Sequence, residues 1–186
     1  MVWFFGLIGS GKTTISLKTK SLLEKDGIET VYVSMDEIRK KIFPEPIYSD
    51  EERNTSYRSM VVMANYLSAS GNNVILDGTA HKLVWRDFAR KECEKYAEVY
   101  IKCPIEVCID RENRREQDLV RKNIYRDALA RQRSGNQISG FGKVPGIDEE
   151  FEESPFPELV IDCRDSDKAD EMVLKMLRNK FPDSFL

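Results

Sequence analysis

The residues best suited to chemistry lie close to the start of the chain, in the glycine-rich segment Gly6–Thr14. This segment reads GLIGSGKTT and contains the complete pattern G-x-x-x-x-G-K-[ST]. The apolar run Met1–Phe5 precedes it and a helical pattern over Ile15–Lys25 follows it. Strand, loop and helix start form the context in which this pattern binds phosphate, because the backbone N–H groups of the loop face one point at the positive end of the helix. The sequence therefore predicts a nucleoside triphosphate site.

The loop supplies both backbone and side-chain groups to this predicted site. Lys12 is expected to reach the β- and γ-phosphates and to act in catalysis, and the Thr13 hydroxyl is placed to ligate Mg²⁺. ATP and Mg²⁺ are therefore the predicted cofactors. The residues predicted to bind the nucleotide are Gly6, Gly9, Ser10, Gly11, Lys12, Thr13 and Thr14.

Short β-branched and aromatic runs alternate with helical patterns along the rest of the chain. Strands are predicted at Met1–Phe5, Thr30–Ser34, Asn73–Asp77, Glu98–Lys102 and Leu159–Asp162. Helices are predicted at Ile15–Lys25, Asp36–Ile42, Asp50–Ser70, Lys82–Tyr96, Ile105–Asn113 and Asp167–Lys180. This alternation indicates an α/β fold, a P-loop NTPase three-layer sandwich with a five-stranded, mostly parallel sheet and helices on both faces. The 186 residues suit one domain, 1–186.

Ligands of such sheets bind beyond the carboxyl ends of the strands, where several charged residues are expected. Asp36 is predicted to orient and deprotonate an acceptor hydroxyl, and its alternative role is the N-cap of the following helix. Asp77 ends an apolar strand and is the rival carboxylate, predicted to hold Mg²⁺ through water. Arg39 and Arg53 are predicted to clamp an anionic acceptor. His81, the only histidine, either touches the acceptor or has no role in the site.

A long segment, residues 111–157, interrupts the alternation and is predicted to form a lid. Loops of this length inside a compact domain are usually functional. Cationic side chains over a phosphate site neutralise the charge of phosphoryl transfer and exclude water. The alternative is a solvated, charged helix with a loose connector. The first part of the segment contains Arg111, Arg114, Arg115, Arg121, Lys122, Arg126, Arg131 and Arg133.

Composition limits the partners and the location. The net charge of −3 argues against broad attraction to nucleic acid or membranes, and a small anionic molecule is the expected substrate. No apolar stretch reaches the roughly 18 residues of a membrane span, and no secretory signal is expected before the first strand. The cysteines contain no C-x-x-C pair, so we expect neither a disulfide nor a metal site, and a cytoplasmic location. They are Cys93, Cys103, Cys108 and Cys163.

Several segments resemble the adenylylsulfate (APS) kinase family, and they follow one another in the order of that family. Asp36–Arg39 and Tyr48–Arg53 resemble its segments after the second strand. Cys103–Arg111 resembles its element P-L-E-V-C-x-x-R, and Ile124–Ala128 its element L-Y-K-K-A. Pro145–Leu159 is similar to its lid ending, F-T-G-I-D-x-P-Y-E-x-P-x-x-P-E-L. This ending is the most specific of the motifs, because the P-loop alone occurs in many unrelated enzymes.

The resemblance implies ATP-dependent phosphorylation of adenylylsulfate to 3′-phosphoadenylylsulfate, and it suggests a homodimer. It implies nucleotide binding by Arg111. The substrate-binding residues that follow from it and from the charges above are Asp36, Arg39, Arg53, Ser56, Lys143 and Ile147.

The chain departs from the family pattern around the predicted acceptor. Ser34 replaces the first carboxylate of the family's D-G-D-N-V-R, Ser56 replaces a substrate-binding asparagine, and Ala80 replaces the serine of I-S-P-Y-R. Leu76–Thr79 instead resembles the strand ending h-h-L-D-[GA]-T of other small P-loop kinases. One alternative is therefore a kinase for another acceptor, such as a nucleoside, a nucleic-acid end or another metabolite. A nucleotide-dependent switch or binding module is a second alternative, although no Asn-Lys-x-Asp guanine signature is present.

Overall fold

The structure, a computed structural model, describes residues 1–114, 123–134 and 142–182. Its strands are β1 (Val2–Phe5), β2 (Thr30–Ser34), β3 (Asn73–Asp77), β4 (Ala97–Lys102) and β5 (Leu159–Asp162). Its helices are α1 (Lys12–Lys25), α2 (Met35–Ile42), α3 (Asp50–Ala69), α4 (Leu83–Glu92), α5 (Ile105–Asn113), α6 (Ile124–Ser134) and α7 (Ala169–Lys180). The five predicted strands and six predicted helices are confirmed, with α4 shorter than expected.

The strands form one sheet in the order β2-β3-β1-β4-β5. The predicted sheet was mostly parallel, and every pairing between the described strands is parallel. The carboxyl ends of the strands therefore meet at one edge. Ser34 at the end of β2 is in register with Asp77 at the end of β3, so residues that follow these two strands lie side by side.

Helices cover both faces of the sheet, as predicted. Successive side chains of a strand point to opposite faces, and β1 shows this alternation directly. Val2 and Phe4 belong to a buried cluster with residues of α1, α6 and α7. Trp3 and Phe5 belong to a second buried cluster with residues of α3 and α4. The apolar runs of the sequence are continuous because the sheet is covered on both faces.

The start of α2 tests one of the two roles expected for Asp36, that of helix cap. Ser34 is the N-cap, and its hydroxyl accepts a hydrogen bond from Glu37 N at 3.4 Å. Asp36 lies in the first turn of the helix instead. The alternative prediction that Asp36 caps α2 is therefore wrong, because the side chain two residues earlier already accepts the orphan N–H group.

The predicted lid segment contains a helix that the sequence patterns did not place, α6. The chain after it, residues 142–149, forms a compact turn that we call the lid turn. In this turn Asp148 Oδ2 accepts hydrogen bonds from Val144 N at 2.7 Å and Arg131 Nη2 at 2.6 Å. The predictions for Arg115, Arg121 and Lys122 lie outside the described residues.

The cysteine pattern was misread, because Cys103 and Cys163 form a disulfide with 5.1 Å between their Cα atoms. Cys103 follows β4 and Cys163 follows β5, which are adjacent in the sheet. The carboxyl ends of neighbouring parallel strands bring these residues together across a separation of 60 positions. Cys93 and Cys108 are buried and unbridged. Among the described residues, no helix is both long enough and apolar enough to cross a membrane.

Candidate active site

The glycine-rich loop packs so closely against its neighbours that two positions admit no side chain. Gly6 (φ 149°) has no room for a Cβ beside the carbonyl oxygen of Ile101. A Cβ on Gly9 (φ 83°) would lie 2.5 Å from the carbonyl oxygen of Cys108. Both φ values lie in a region that L-residues rarely adopt. The loop is thereby held between the end of β4 and α5, directly before the start of α1 at Lys12.

The remaining predicted nucleotide ligands lie around this loop. Lys12 is buried, and its Nζ donates a hydrogen bond to Leu7 O at 2.8 Å, so the ammonium group stays at the loop. Ser10 is buried and its Oγ has no hydrogen-bond partner among the described residues. Thr13 and Thr14 are exposed in the first turn of α1. This arrangement presents an ammonium group and a helix start to the same volume, as a triphosphate site requires.

Arg111 lies against the opposite side of the loop. Its Nη1 donates to Ser10 O at 3.2 Å, and its Nη2 donates to Cys163 O at 3.1 Å. Nη1 is also 3.9 Å from Cys103 Sγ. The structure therefore places this predicted nucleotide ligand beside the phosphate loop, over the disulfide.

Asp77 is hydrogen-bonded to two hydroxyl groups. Its Oδ2 accepts from Thr13 Oγ1 at 2.6 Å and from Tyr32 OH at 2.7 Å. Burial, followed by the negative charge of Asp77, raises the pKa of Tyr32, so the phenol remains a donor. Sequence reasoning missed Tyr32, and a polar hydroxyl in an apolar strand was the only available signal. The hydrogen bond joins residues 45 positions apart.

These oxygen atoms fit a hard cation such as Mg²⁺. Mg²⁺ is usually held by one or two protein oxygens together with substrate phosphates and water. Thr13 and Asp77 supply a hydroxyl and a carboxylate next to the phosphate loop. Within residues 1–114, 123–134 and 142–182, no cluster of three or more acidic, histidine or cysteine side chains could hold a metal alone. The donor set therefore fits a metal that arrives with a nucleotide.

One cleft brings together seven of the fifteen predicted site residues. It joins the phosphate loop, the starts of α2 and α3, the chain after β3, and the lid turn. The described residues that line it are Ile8, Gly9, Lys12, Thr13, Asp36, Arg39, Tyr48, Arg53, Tyr57, Asp77, Gly78, Thr79, Ile124, Gly142, Val144 and Pro145.

Asp36 and Asp77 differ in their access to this cleft. The side chain of Asp36 is 44% exposed, and its Oδ1 lies 3.4 Å from Arg39 Nη1. Asp77 is only 6% exposed. A reacting hydroxyl can therefore approach the Asp36 carboxylate more easily, whereas Asp77 is placed to act on Thr13.

Two buried guanidinium groups line the acceptor side of the cleft. Arg39 lies over the Tyr48 ring, 4.9 Å from its centroid. Arg53 donates from Nε to Tyr48 O at 3.0 Å and from Nη2 to Lys143 O at 2.5 Å. Burial lowers the pKa of Arg53, but an arginine remains charged at neutral pH. Both cations thus face the cleft, and Arg53 also ties the lid turn to the start of α3.

Aromatic side chains form much of the same wall. Tyr48 adopts φ 58°, which is uncommon for a residue other than glycine. Tyr57 stacks on Trp85 with ring centroids 4.2 Å apart, and its hydroxyl accepts a hydrogen bond from Ala80 N at 2.8 Å. The wall is therefore apolar, with cations at its margin.

Three residues predicted to bind substrate lie outside the described lining of the cleft. Ser56 is buried in α3, and its Oγ has no partner among the described residues. Lys143 is exposed, with Nζ 3.1 Å from Glu149 and 3.7 Å from Asp50. Ile147 packs against the core, and its carbonyl accepts from Gln132.

Three of the five lid arginines that the structure describes, Arg114, Arg126 and Arg131, pair with nearby carboxylates. Arg131 binds Asp148 at 2.6 Å within the lid turn. Arg114 pairs with Asp110 at 2.9 Å, one turn away on the same chain segment. In the parts of the lid that the structure describes, it is Ile124 and the lid turn, rather than these arginines, that line the cleft.

The sequence of this chain is similar to those of one protein family. The family model described as adenylylsulphate kinase matches residues 1–162. A probable adenylyl-sulfate kinase of Archaeoglobus fulgidus is 34% identical over 168 residues, which are 90% of this chain and 98% of that protein. A probable adenylyl-sulfate kinase of Pyrococcus abyssi is 30% identical over 176 residues, covering 94% and 92% of the two chains.

Solved structures share the fold. The Mycobacterium tuberculosis APS kinase CysC, in complex with AMPPNP and APS, superposes with a TM-score of 0.75 at 24% identity, covering 95% of this chain and 96% of that one. A sugar kinase from Janibacter superposes with a TM-score of 0.68 at 22% identity, covering 98% and 96% of the two chains. The same architecture thus occurs in kinases whose names indicate different acceptors.

Proposed function

The chain belongs to the adenylylsulphate kinase family and is an ATP-dependent kinase, and we propose that its cleft converts adenylylsulfate into 3′-phosphoadenylylsulfate. The observation that carries the proposal is the position of Asp36. Its accessible carboxylate shares one cleft with Lys12 and Thr13 on one side and with two buried arginines on the other. A phosphate donor and an anionic acceptor can therefore meet at this carboxylate.

The donor side accounts for ATP binding. The backbone of the phosphate loop would surround the β-phosphate of ATP, and the Lys12 ammonium, now bound to Leu7 O, would bind the β- and γ-phosphates. Thr13 and Asp77 would hold Mg²⁺, directly or through water, and the metal supplies neutralisation of charge on the phosphates. Arg111 supports the loop from the other side through Ser10 O.

The acceptor side of the cleft contains groups that can take the proton of the attacking hydroxyl and bind the negative charge of the acceptor molecule. Asp36 accepts the proton of the attacking hydroxyl and orients that hydroxyl toward the γ-phosphate. Arg39 and Arg53 pair with the anionic part of the acceptor. Tyr48 and Val144 offer apolar surface to a flat ring, because both line the same part of the cleft.

The experiment is a panel of hydroxyl acceptors with MgATP, scored by ADP release against a control without acceptor. Adenylylsulfate should be phosphorylated and should give the highest kcat/KM of the panel. Arg39→Ala should abolish saturation with adenylylsulfate while ATP binding persists. If calorimetry shows no adenylylsulfate binding at millimolar concentration in the presence of MgADP, the acceptor is a different hydroxyl, and the most active member of the panel replaces it.

Two further properties follow from the family and belong to the proposal. The first is a homodimer, which light scattering of the purified chain tests directly. The second is a cytoplasmic location. The Cys103–Cys163 bond bears on it, because disulfides are rare in a reducing compartment. Alkylation of the thiols in rapidly quenched cells, followed by mass spectrometry of the two peptides, distinguishes the reduced form from the oxidised form.

A further inference from the structure

The only histidine of the chain, His81, lies behind the acceptor side of the cleft and has no assigned role. It is fully buried, edge-on to Trp85 with ring centroids 5.1 Å apart. Its Nε2 lies 2.8 Å from Glu149 Oε2, and its Nδ1 has no partner among the described residues. Burial, reinforced by the charge of Arg53, lowers the pKa of His81 to about 4 against the opposing influence of Glu149. At neutral pH the uncharged imidazole therefore donates its Nε2–H to a carboxylate.

Glu149 fixes the end of the lid turn. Its backbone carbonyl accepts from Gly146 N at 2.7 Å, and the residue forms an isolated bridge with Pro145. Burial alone would raise the pKa of Glu149, but hydrogen bonds from Lys143 and His81 lower it, so the carboxylate is ionised. Because Gly142, Val144 and Pro145 line the cleft, the Glu149 carboxylate belongs to a segment that forms one wall of the cleft.

His81 belongs to the opposite wall. It directly follows the segment 78–80, of which Gly78 and Thr79 line the cleft and Ala80 donates to the hydroxyl of Tyr57. The carbonyl of His81 also accepts from Glu152 N at 2.8 Å. The side-chain bond from His81 to Glu149 thus joins two walls of one cleft across 68 positions of sequence.

We propose that His81 is a positioning residue for the phosphoryl acceptor, and that the His81–Glu149 bond, which we call the clasp, holds the lid turn at the distance from segment 78–80 that the acceptor requires. The proposal rests on the proposed function, because it concerns the acceptor side of the same cleft. His81 stands where the motif I-S-P-Y-R, which Thr79–Leu83 resembles, has proline, and proline has no side-chain donor.

The test compares two substitutions of the donor with one control. His81→Leu removes the donor at similar volume, whereas His81→Gln keeps an amide N–H near the position of Nε2. Lys82→Met is the control, because its ammonium group lies 3.6 Å from the same carboxylate in a partly exposed ion pair of small energy. Steady-state kinetics give kcat and both KM values, and hydrogen exchange of the amides of residues 142–149 reports the position of the lid turn without substrate.

The clasp predicts that loss of the His81 donor changes the KM for adenylylsulfate but not the KM for ATP. His81→Leu should raise the KM for adenylylsulfate about tenfold or more, the usual effect of losing a hydrogen bond to a charged group. The KM for ATP should stay within about twofold, since the phosphate loop is untouched. His81→Gln should recover most of the loss, and Lys82→Met should resemble the wild type. Exchange of the lid-turn amides should quicken in His81→Leu and return toward wild type in His81→Gln.

Three results would overturn the clasp. The first is an unchanged KM for adenylylsulfate in His81→Leu. The second is an equal defect in His81→Leu and His81→Gln, which would indicate packing alone. If His81→Leu does not fold, Glu149→Leu removes the carboxylate that accepts this hydrogen bond. A wild-type KM for adenylylsulfate in Glu149→Leu is the third result. Turnover of adenylylsulfate by the wild type is measured first, and its absence would refute the proposed function. In that case hydrogen exchange of the amides of residues 142–149 alone tests whether the clasp holds the lid turn.

Discussion

The burial of His81 makes a quantitative prediction about stability at mildly acidic pH. In the folded state the pKa of His81 is about 4, whereas an unfolded histidine titrates near 6.5. Between these values the unfolded chain binds a proton that the folded chain does not, so the free energy of unfolding falls as the pH falls below about 6.5. For this pair of pKa values the loss between pH 7 and pH 5 is about 2 kcal/mol.

The assay is urea unfolding of the wild type and His81→Gln at both pH values. Glutamine does not titrate, so the wild type should lose about 2 kcal/mol more than the variant over this interval. The charged groups that face His81 are Glu149, Arg53 and Lys82, and in the folded protein the carboxylate already has a lowered pKa, so it stays ionised above pH 5. Equal pH dependence in the two proteins would refute the reasoning, because it would mean that the buried imidazole accepts a proton without cost.

The remaining predictions concern the donor side. Lys12→Ala should abolish turnover with the fold retained; more than about a tenth of the wild-type kcat, a loss below about 1.4 kcal/mol, would contradict the assigned role. Asp36→Asn should greatly lower kcat and leave the affinity for MgATP nearly unchanged, whereas Asp77→Asn should weaken Mg²⁺-dependent nucleotide binding. If kinetics and calorimetry give the reverse, the roles assigned to the two carboxylates are the wrong way round. Tyr32→Phe should weaken Mg²⁺-dependent ADP binding about tenfold, because Asp77 loses one of two donors. Tyr100→Phe, which removes a hydroxyl bound to Glu153 at 3.0 Å, is the matched control. Equal affinities for ADP in the two variants would show that Tyr32 has no role in Mg²⁺-dependent binding.

Much of the site could be predicted because its pieces are local. The phosphate loop is one continuous segment whose glycines, lysine and threonine act through the backbone next to them, so Gly6–Thr14 is recognisable without any long-range contact. Asp36 and Arg39 lie within one turn of α2 and reach the same cleft for that reason. The edge of the sheet at which they meet follows from the alternation of strands and helices.

What the sequence left open concerns contacts between distant segments. The substrate role that the resemblance gave to Ser56 stays a prediction, and its hydroxyl is buried on α3, outside the described lining of the cleft. The helix α6 was not placed, because residues 111–157 have a weak apolar period and the helix gains its burial from Tyr125 and Ala128 against the main cluster.

Three features could be predicted from the sequence: the strand–loop–helix unit of the phosphate loop, the five strands of a mostly parallel sheet, and the carboxylate after the second strand. These features depend on the conformations of adjacent residues and on the periodicity of apolar side chains, which are local properties. Three contacts are visible only in the folded structure, namely those of Tyr32 with Asp77, of Cys103 with Cys163 and of His81 with Glu149. Each pair is brought together by the order of strands in the sheet or by the packing of the lid turn against the chain after β3. Neither can be read from the separation of the residues along the chain.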